Sequence, residues 1–156
     1  MSREIERKFL VKGDFKNQAV KSYKIAQGYL STVPERTVRI RIRDNQGSLT
    51  IKGISNISGT TRFEWEKEIP IKEAENLLLL CEPTIIEKIR YIVPANDNLY
   101  FEVDAFLGEN NGLIIAEIEL PSENTEFTKP GWLGEEVTGQ LKYYNAMLAK
   151  KSCKDW

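Results

Sequence analysis

A chain of 156 residues is long enough to bury one core, and a net charge of −1 gives it no overall bias toward nucleic acid or an anionic membrane. The absence of histidine removes Ser–His and Cys–His nucleophile systems and His-ligated zinc. Cys81 and Cys153 form neither a metal-ligand spacing nor a disulfide framework, so a reduced, cytoplasmic setting is expected. The charged start MSREIERKFL is unlike a signal peptide, and no apolar run approaches the roughly 20 residues that span a bilayer.

In chain order, a strand is predicted at about 3–11, where Glu4, Glu6 and Lys8 stand at every second position. A short helix follows near 14–20, then strands near 23–32 and 36–44, the latter carrying Arg39, Arg41 and Arg43 at every second position. Asn45, Gln46 and Gly47 read as a hairpin turn into a strand near 48–53, which holds Thr50 and Lys52. A looser loop at 55–59 leads to a strand near 61–70 with Arg62, Glu64, Glu66 and Glu68 in alternation. The segment 72–81 (KEAENLLLLC) has helix formers and stops before Pro83. Strands resume near 85–93 (Lys88, Arg90), 98–106 (Glu102, Asp104) and 113–120 (Glu117, Glu119). A final helix is expected from about 135 or 139 to 150, with Leu141, Tyr144 and Leu148 on one face. Together these elements form one α+β domain over 1–156, dominated by antiparallel strands.

A period of two puts these charges on one face of each strand and the intervening apolar residues on the other. Val38, Ile40 and Ile42 oppose the arginines, and Phe63, Trp65 and Ile69 oppose the glutamates. One sheet face is therefore apolar, for helices to cover, and the other is ionic. An antiparallel sheet with one solvated face also alternates, but such faces mix Thr, Ser and Gln with ions. Here like charges recur at i and i+2, about 6–7 Å apart, where repulsion is about 2–3 kcal/mol at an effective dielectric near 20. Separated blocks of acids and bases suit a divalent metal beside a polyanion, and closing the sheet into a barrel lines a channel with them. Carboxylate oxygens favour a hard ion, Mg²⁺ or Mn²⁺. Arg and Lys grip phosphate oxygens, and water held by metal and glutamate serves as nucleophile.

Glu4-Ile5-Glu6-Arg7-Lys8 has the E-x-E-x-K form that opens the CYTH superfamily, the triphosphate tunnel metalloenzymes. Further along come Gln27-Gly28-Tyr29-Leu30, Arg39-x-Arg41, Thr50-Ile51-Lys52 and Arg62-x-Glu64-x-Glu66, then Lys88-x-Arg90, Glu102-x-Asp104, Glu117-x-Glu119 and Tyr143-Tyr144-Asn145. The chain resembles that family over nearly its whole length, most closely its short single-domain inorganic triphosphatases. The resemblance implies an eight-stranded antiparallel β-barrel, a triphosphate tunnel with charged interior and helices packed outside. It implies Glu4, Glu6, Glu117 and Glu119 as metal ligands, with Asp104 serving a second metal. It implies Lys8, Arg39, Arg41, Lys52 and Arg90 as phosphate-gripping residues. Glu64 and Glu66 would orient water or a second metal, and Lys88 is either a phosphate contact or a proton acceptor. Arg43 and Glu68 are expected near strand ends, with charge balance as their role. Where the family often carries Asp-x-Arg before the Tyr-Asn segment, this chain has Gln140, Leu141 and Lys142.

The activity this implies is metal-dependent hydrolysis of inorganic tripolyphosphate by metal-activated water. Alternatives are a class IV adenylate cyclase, a nucleoside or thiamine triphosphatase, and a non-catalytic polyphosphate-binding module. The cyclase members resemble this chain less, since they carry a His-Phe pair ahead of E-x-E-x-K and no histidine occurs here. The expected partners are a small triphosphate substrate and, by resemblance, a second copy in a homodimer, with neither nucleic acid nor membrane.

Overall fold

Alternating ions and β-branched or aromatic residues favour pleated, half-buried backbone, and each alternating stretch becomes a strand. The structure, a computed structural model, describes residues 2–156. It comprises β1 (Ser2–Val11), β2 (Lys21–Ser31), β3 (Thr37–Arg43), β4 (Gln46–Lys52), β5 (Thr61–Ile69), α1 (Ile71–Leu78), β6 (Glu82–Pro94), β7 (Tyr100–Phe106), β8 (Ile114–Glu119), β9 (Leu133–Glu136) and α2 (Asn145–Lys150). The strands lie in the order β5-β4-β3-β2-β6-β7-β8-β1-β9, and β5 pairs with β1 again. Eight antiparallel strands thus close into a barrel, and β9 is an extra strand on its rim. Among the described residues no helix is long and apolar enough to cross a membrane.

Closure depends on β1. One of its edges pairs with β8 over Glu6 to Leu10. Its other edge pairs with β5 over Ser2 to Ile5, then with β9 at Phe9 and Val11. Arg7 fastens β9 from the outside, its Nε and a terminal nitrogen donating to Glu136 at 2.9 and 2.6 Å.

Two apolar clusters frame the barrel. The outer one packs Phe9, Phe101, Val103 and Ile118 against Phe15 and Trp132 from the connecting segments and Leu133 of β9. The other lies within one end of the barrel. Tyr29, Ile86, Phe106 and Ile115 share strand parity with Gln27, Lys88, Asp104 and Glu117, and they pack on Val137, Tyr143, Leu148 and Ala149. The inner wall therefore changes from ionic to apolar along its length, and the C-terminal strap fills that end.

Several expectations need correction. The segment near 14–20 forms only a 3₁₀ turn, Lys16–Gln18. The β3–β4 turn is Asp44-Asn45, with Asp44 at φ 54°, and Gln46 and Gly47 belong to β4. Gly47 is needed for packing instead: a Cβ there would sit 2.6 Å from Ala74 Cβ of α1. The predicted C-terminal helix is broken into β9, a 3₁₀ turn at Leu141–Tyr143 and the short α2. Leu141 is exposed while Leu148 is buried, so they share no packed face. Nor do helices cover the whole outer face: Ile51 pairs with Trp65 across β4–β5, and both stand about two-fifths exposed beside Phe63.

Candidate active site

The strand registers bring the predicted ions together. Glu6 lies opposite Glu119 and Lys8 opposite Glu117 across β1–β8, Glu102 opposite Glu117 across β7–β8, and Lys52 opposite Glu64 across β4–β5. They line a cavity of about 300 Å³ inside the barrel. Every predicted site residue except Asp104 contributes to this lining: Glu4, Glu6, Lys8, Arg39, Arg41, Lys52, Glu64, Glu66, Lys88, Arg90, Glu117 and Glu119. At the open end a second cavity of about 270 Å³ shares Glu102 and Glu119 with the first.

Asp104, which the resemblance implies as a ligand of a second metal, does not itself line this cavity. It is 1% exposed. Its Oδ1 accepts from Arg90 Nε at 2.8 Å, and its Oδ2 from Arg90 at 2.9 Å and from Lys88 Nζ at 2.8 Å. Both oxygens are thus engaged by two buried cations that themselves line the cavity.

The acids that do face the cavity are crowded. Burial, then Glu117 and Glu4, push the Glu6 carboxyl well above the usual range. Glu117 is also buried, but Lys8, the hydrogen bond from Glu6, Arg90 and Lys88 outweigh that and hold it well below the range. The same crowding therefore drives the two carboxyls in opposite directions. Glu64, raised to about 7 by burial and by Glu4, hydrogen-bonds Glu4. Lys52 Nζ donates to Glu4 at 2.9 and 3.2 Å and lies 3.6 Å from Glu64. Among the described residues no three acids already stand in a ligating constellation. The donor set nonetheless fits a hard divalent ion: it supplies only oxygens, and such an ion would relieve the repulsion among its crowded carboxylates.

The cations are buried around the same space. Arg39 donates to Thr50 at 3.0 Å and lies 3.7 Å from Glu66, while its buried Nε has no hydrogen-bond partner. Burial, with Arg39 and Arg90 nearby, lowers the guanidinium of Arg41 to about 9. Lys88 is lowered to about 7, chiefly by burial, which prevails over the attraction of Asp104, with Arg90 and Arg41 adding to the fall. Lys8 lies 4.6 Å from the ring centroid of Tyr144, and Arg62 5.5 Å from it. Arg62 donates to the Gly53 carbonyl at 2.9 Å. Of the residues expected near strand ends, Arg43 is the last of β3 and stacks 4.4 Å over Tyr23, and Glu68 is exposed. Lys142 stacks on Trp156 at 4.4 Å, away from the cavity.

Sequence reasoning assigned no role to Gln27, Thr50, Thr138 or Asn145. Thr50 has the parity of Lys52 on β4, which was signal enough, whereas Gln27 shares its β2 parity with Tyr23, Ile25 and Tyr29 and meets Arg41 only through the β2–β3 register. Thr138 and Asn145 lie in an irregular strap that has no period to read.

A closed antiparallel barrel with metal-suited acids facing buried phosphate-suited cations defines a polyanion tunnel protein. The CYTH domain model matches residues 2–152, and the chain belongs to the CYTH family. It is 46% identical, over all of its length and 99% of the other chain, to an inorganic triphosphatase of Acetivibrio thermocellus. It is 36% identical to an inorganic triphosphatase of Nitrosomonas europaea, covering 94% of this chain and 96% of that one. The crystal structure of the inorganic triphosphatase NE1496 superposes with a TM-score of 0.67 at 33% identity, over 94% of this chain and 97% of that one. A Hippeastrum protein described as a putative adenylyl cyclase with dominant triphosphatase activity shares the fold at 14% identity and a TM-score of 0.60.

Proposed function

We propose that residues 1–156 form a single-domain inorganic triphosphatase that hydrolyses tripolyphosphate to orthophosphate and pyrophosphate inside the barrel, with Mg²⁺ or Mn²⁺ as cofactor. The observation that carries this reading is the cavity wall itself: Lys8, Arg39, Arg41, Lys52 and Arg90 face Glu4, Glu6, Glu117 and Glu119 within about 300 Å³. A compact triphosphate without an organic group suits walls so dominated by ions. The strong likeness to two inorganic triphosphatases over almost the full chain supports the same reading.

Glu4, Glu6, Glu117 and Glu119 would hold the divalent ion, which when bound neutralises phosphate charge and lowers the pKa of water. The arginines take phosphate oxygens bidentately, and Lys8 and Lys52 act as point charges. Arg39 has an unpartnered Nε to offer. Glu64 and Glu66 orient the water that attacks the terminal phosphorus. A bond forms from the water oxygen to that phosphorus as the bridging P–O bond breaks, and Glu64 accepts the proton. Lys88, buried and lining the same cavity, would stabilise charge developing on the leaving pyrophosphate. Asp104 acts from behind, holding Arg90 and Lys88.

The test is a turnover screen of tripolyphosphate, ATP and thiamine triphosphate with each metal, scored for orthophosphate, pyrophosphate and cyclic AMP. Orthophosphate from tripolyphosphate should be the fastest product. Cyclic AMP from ATP as the main product would overturn the reading, and absence of any turnover would leave a binding module. Glu117→Gln should abolish metal-dependent turnover while the far-UV circular dichroism is kept.

A further inference from the structure

Four polar side chains from β2, β3, β6 and α2 meet at the cavity, where Arg41, Lys88 and Asn145 line it and Gln27 lies behind them. Arg41 Nε donates to Gln27 Oε1 at 2.9 Å, and Gln27 Nε2 donates to Asn145 Oδ1 at 3.0 Å. The same Asn145 oxygen accepts from Lys88 Nζ at 2.6 Å. Gln27 also donates to the Tyr29 hydroxyl at 3.1 Å. We propose that Gln27 and Asn145 are positioning residues that aim Arg41 and Lys88 at the phosphate chain, so that the C-terminal strap is a working part of the site; this rests on the tripolyphosphatase reading.

The donor inventory carries the argument. Lys88 has three N–H groups. Asp104 takes one at 2.8 Å and Asn145 another at 2.6 Å, leaving the third for the cavity that Lys88 lines. Arg41 is planar, and with Nε spent on Gln27 its terminal nitrogens are turned to the cavity it lines. Gln27 is fully buried, where an amide costs free energy unless bonded. Its bonds go to one site cation, to the residue that holds the other, and to Tyr29. An apolar side chain would pack at this position without that cost, so packing alone does not call for glutamine. Asn145 is set at the first turn of α2, whose Leu148 and Ala149 are anchored in the apolar plug on Tyr29, Ile86 and Phe106. The plug therefore fixes the amide, and the amide fixes both cations.

The experiment compares the parent with Asn145→Ala, Gln27→Leu and the double variant. It measures Tm, kcat and KM for tripolyphosphate with Mg²⁺, and Kd for tripolyphosphate by calorimetry in EDTA. Each single variant should raise KM and Kd about tenfold with Tm within a few degrees of the parent. The double should be little worse than either single, because the two break one relay. KM and Kd within twofold of the parent would overturn the proposal. So would a loss seen only as lower kcat in step with a lower folded fraction, or an additive double. If Asn145→Ala does not fold, Asn145→Ser and Gln27→Leu bear the same readouts. A parent that binds but does not hydrolyse tripolyphosphate would remove the proposed activity, and the Kd series would still decide the relay.

Discussion

Lys88 and Arg90 are both buried, and both depend on Asp104 for compensating charge. Breaking such an arrangement by removing one partner costs about 3–5 kcal/mol, because the remaining charges stay buried. Asp104→Ala should therefore lose about that much in urea unfolding, more than Glu66→Gln, whose side chain is half exposed. A loss below about 1 kcal/mol would contradict the anchoring role. Glu64 behaves in the opposite sense. Its folded carboxyl is raised to about 7, mainly by burial and then by Glu4, whereas the unfolded chain ionises it near 4.5. Between those values the folded protein holds the extra proton, so stability falls as pH rises through that window. In EDTA, the stability of the parent relative to Glu64→Gln should decline from pH 4.5 to 7. A flat difference would remove the shift.

At the scale of elements, α1 sits on the barrel only because Gly47 has no side chain where Ala74 approaches. Gly47→Val should lift the helix at a cost of about 1–3 kcal/mol, or about 3–10 °C in Tm for a domain of this size. An unchanged Tm would mean that the helix can shift freely. The elements also explain what could be read ahead of the coordinates. The parity of β1, β3, β5 and β8 is a local property of the backbone, and the charged residues named from it do face one cavity. The C-terminal helix was misread because its opening residues are claimed by non-local pairing. Phe9 pairs with Glu136 and Arg7 clasps it, so helix formers there become β9. The hairpin turn ends two residues earlier than expected, because Gly47 resembles turn chemistry while its lack of a Cβ serves the packing of α1.

For the whole molecule, a net charge of −1 means that attraction for a polyanion comes from local arrangement. Ligand binding to the folded state alone stabilises it by about 2.7 kcal/mol at a hundredfold excess over Kd. Millimolar tripolyphosphate with Mg²⁺ should raise Tm by several degrees, and more than NaCl at matched ionic strength. No difference between the two would count against a built site.

Alternation by itself determined which side chains share a face and that acids and bases would meet there, because side-chain direction in a strand follows a period of two. Likeness to known sequences supplied the barrel. Only the tertiary structure decided that Tyr29, Ile86, Phe106 and Ile115, which have the parity of the ions, instead plug one end with the strap. It also decided that Asp104 holds two cations from behind and that Asn145 reaches in to meet Gln27 and Lys88. Parity says which way a side chain points; what it meets there depends on strand stagger and on distant chain, and both exist only once the barrel has closed.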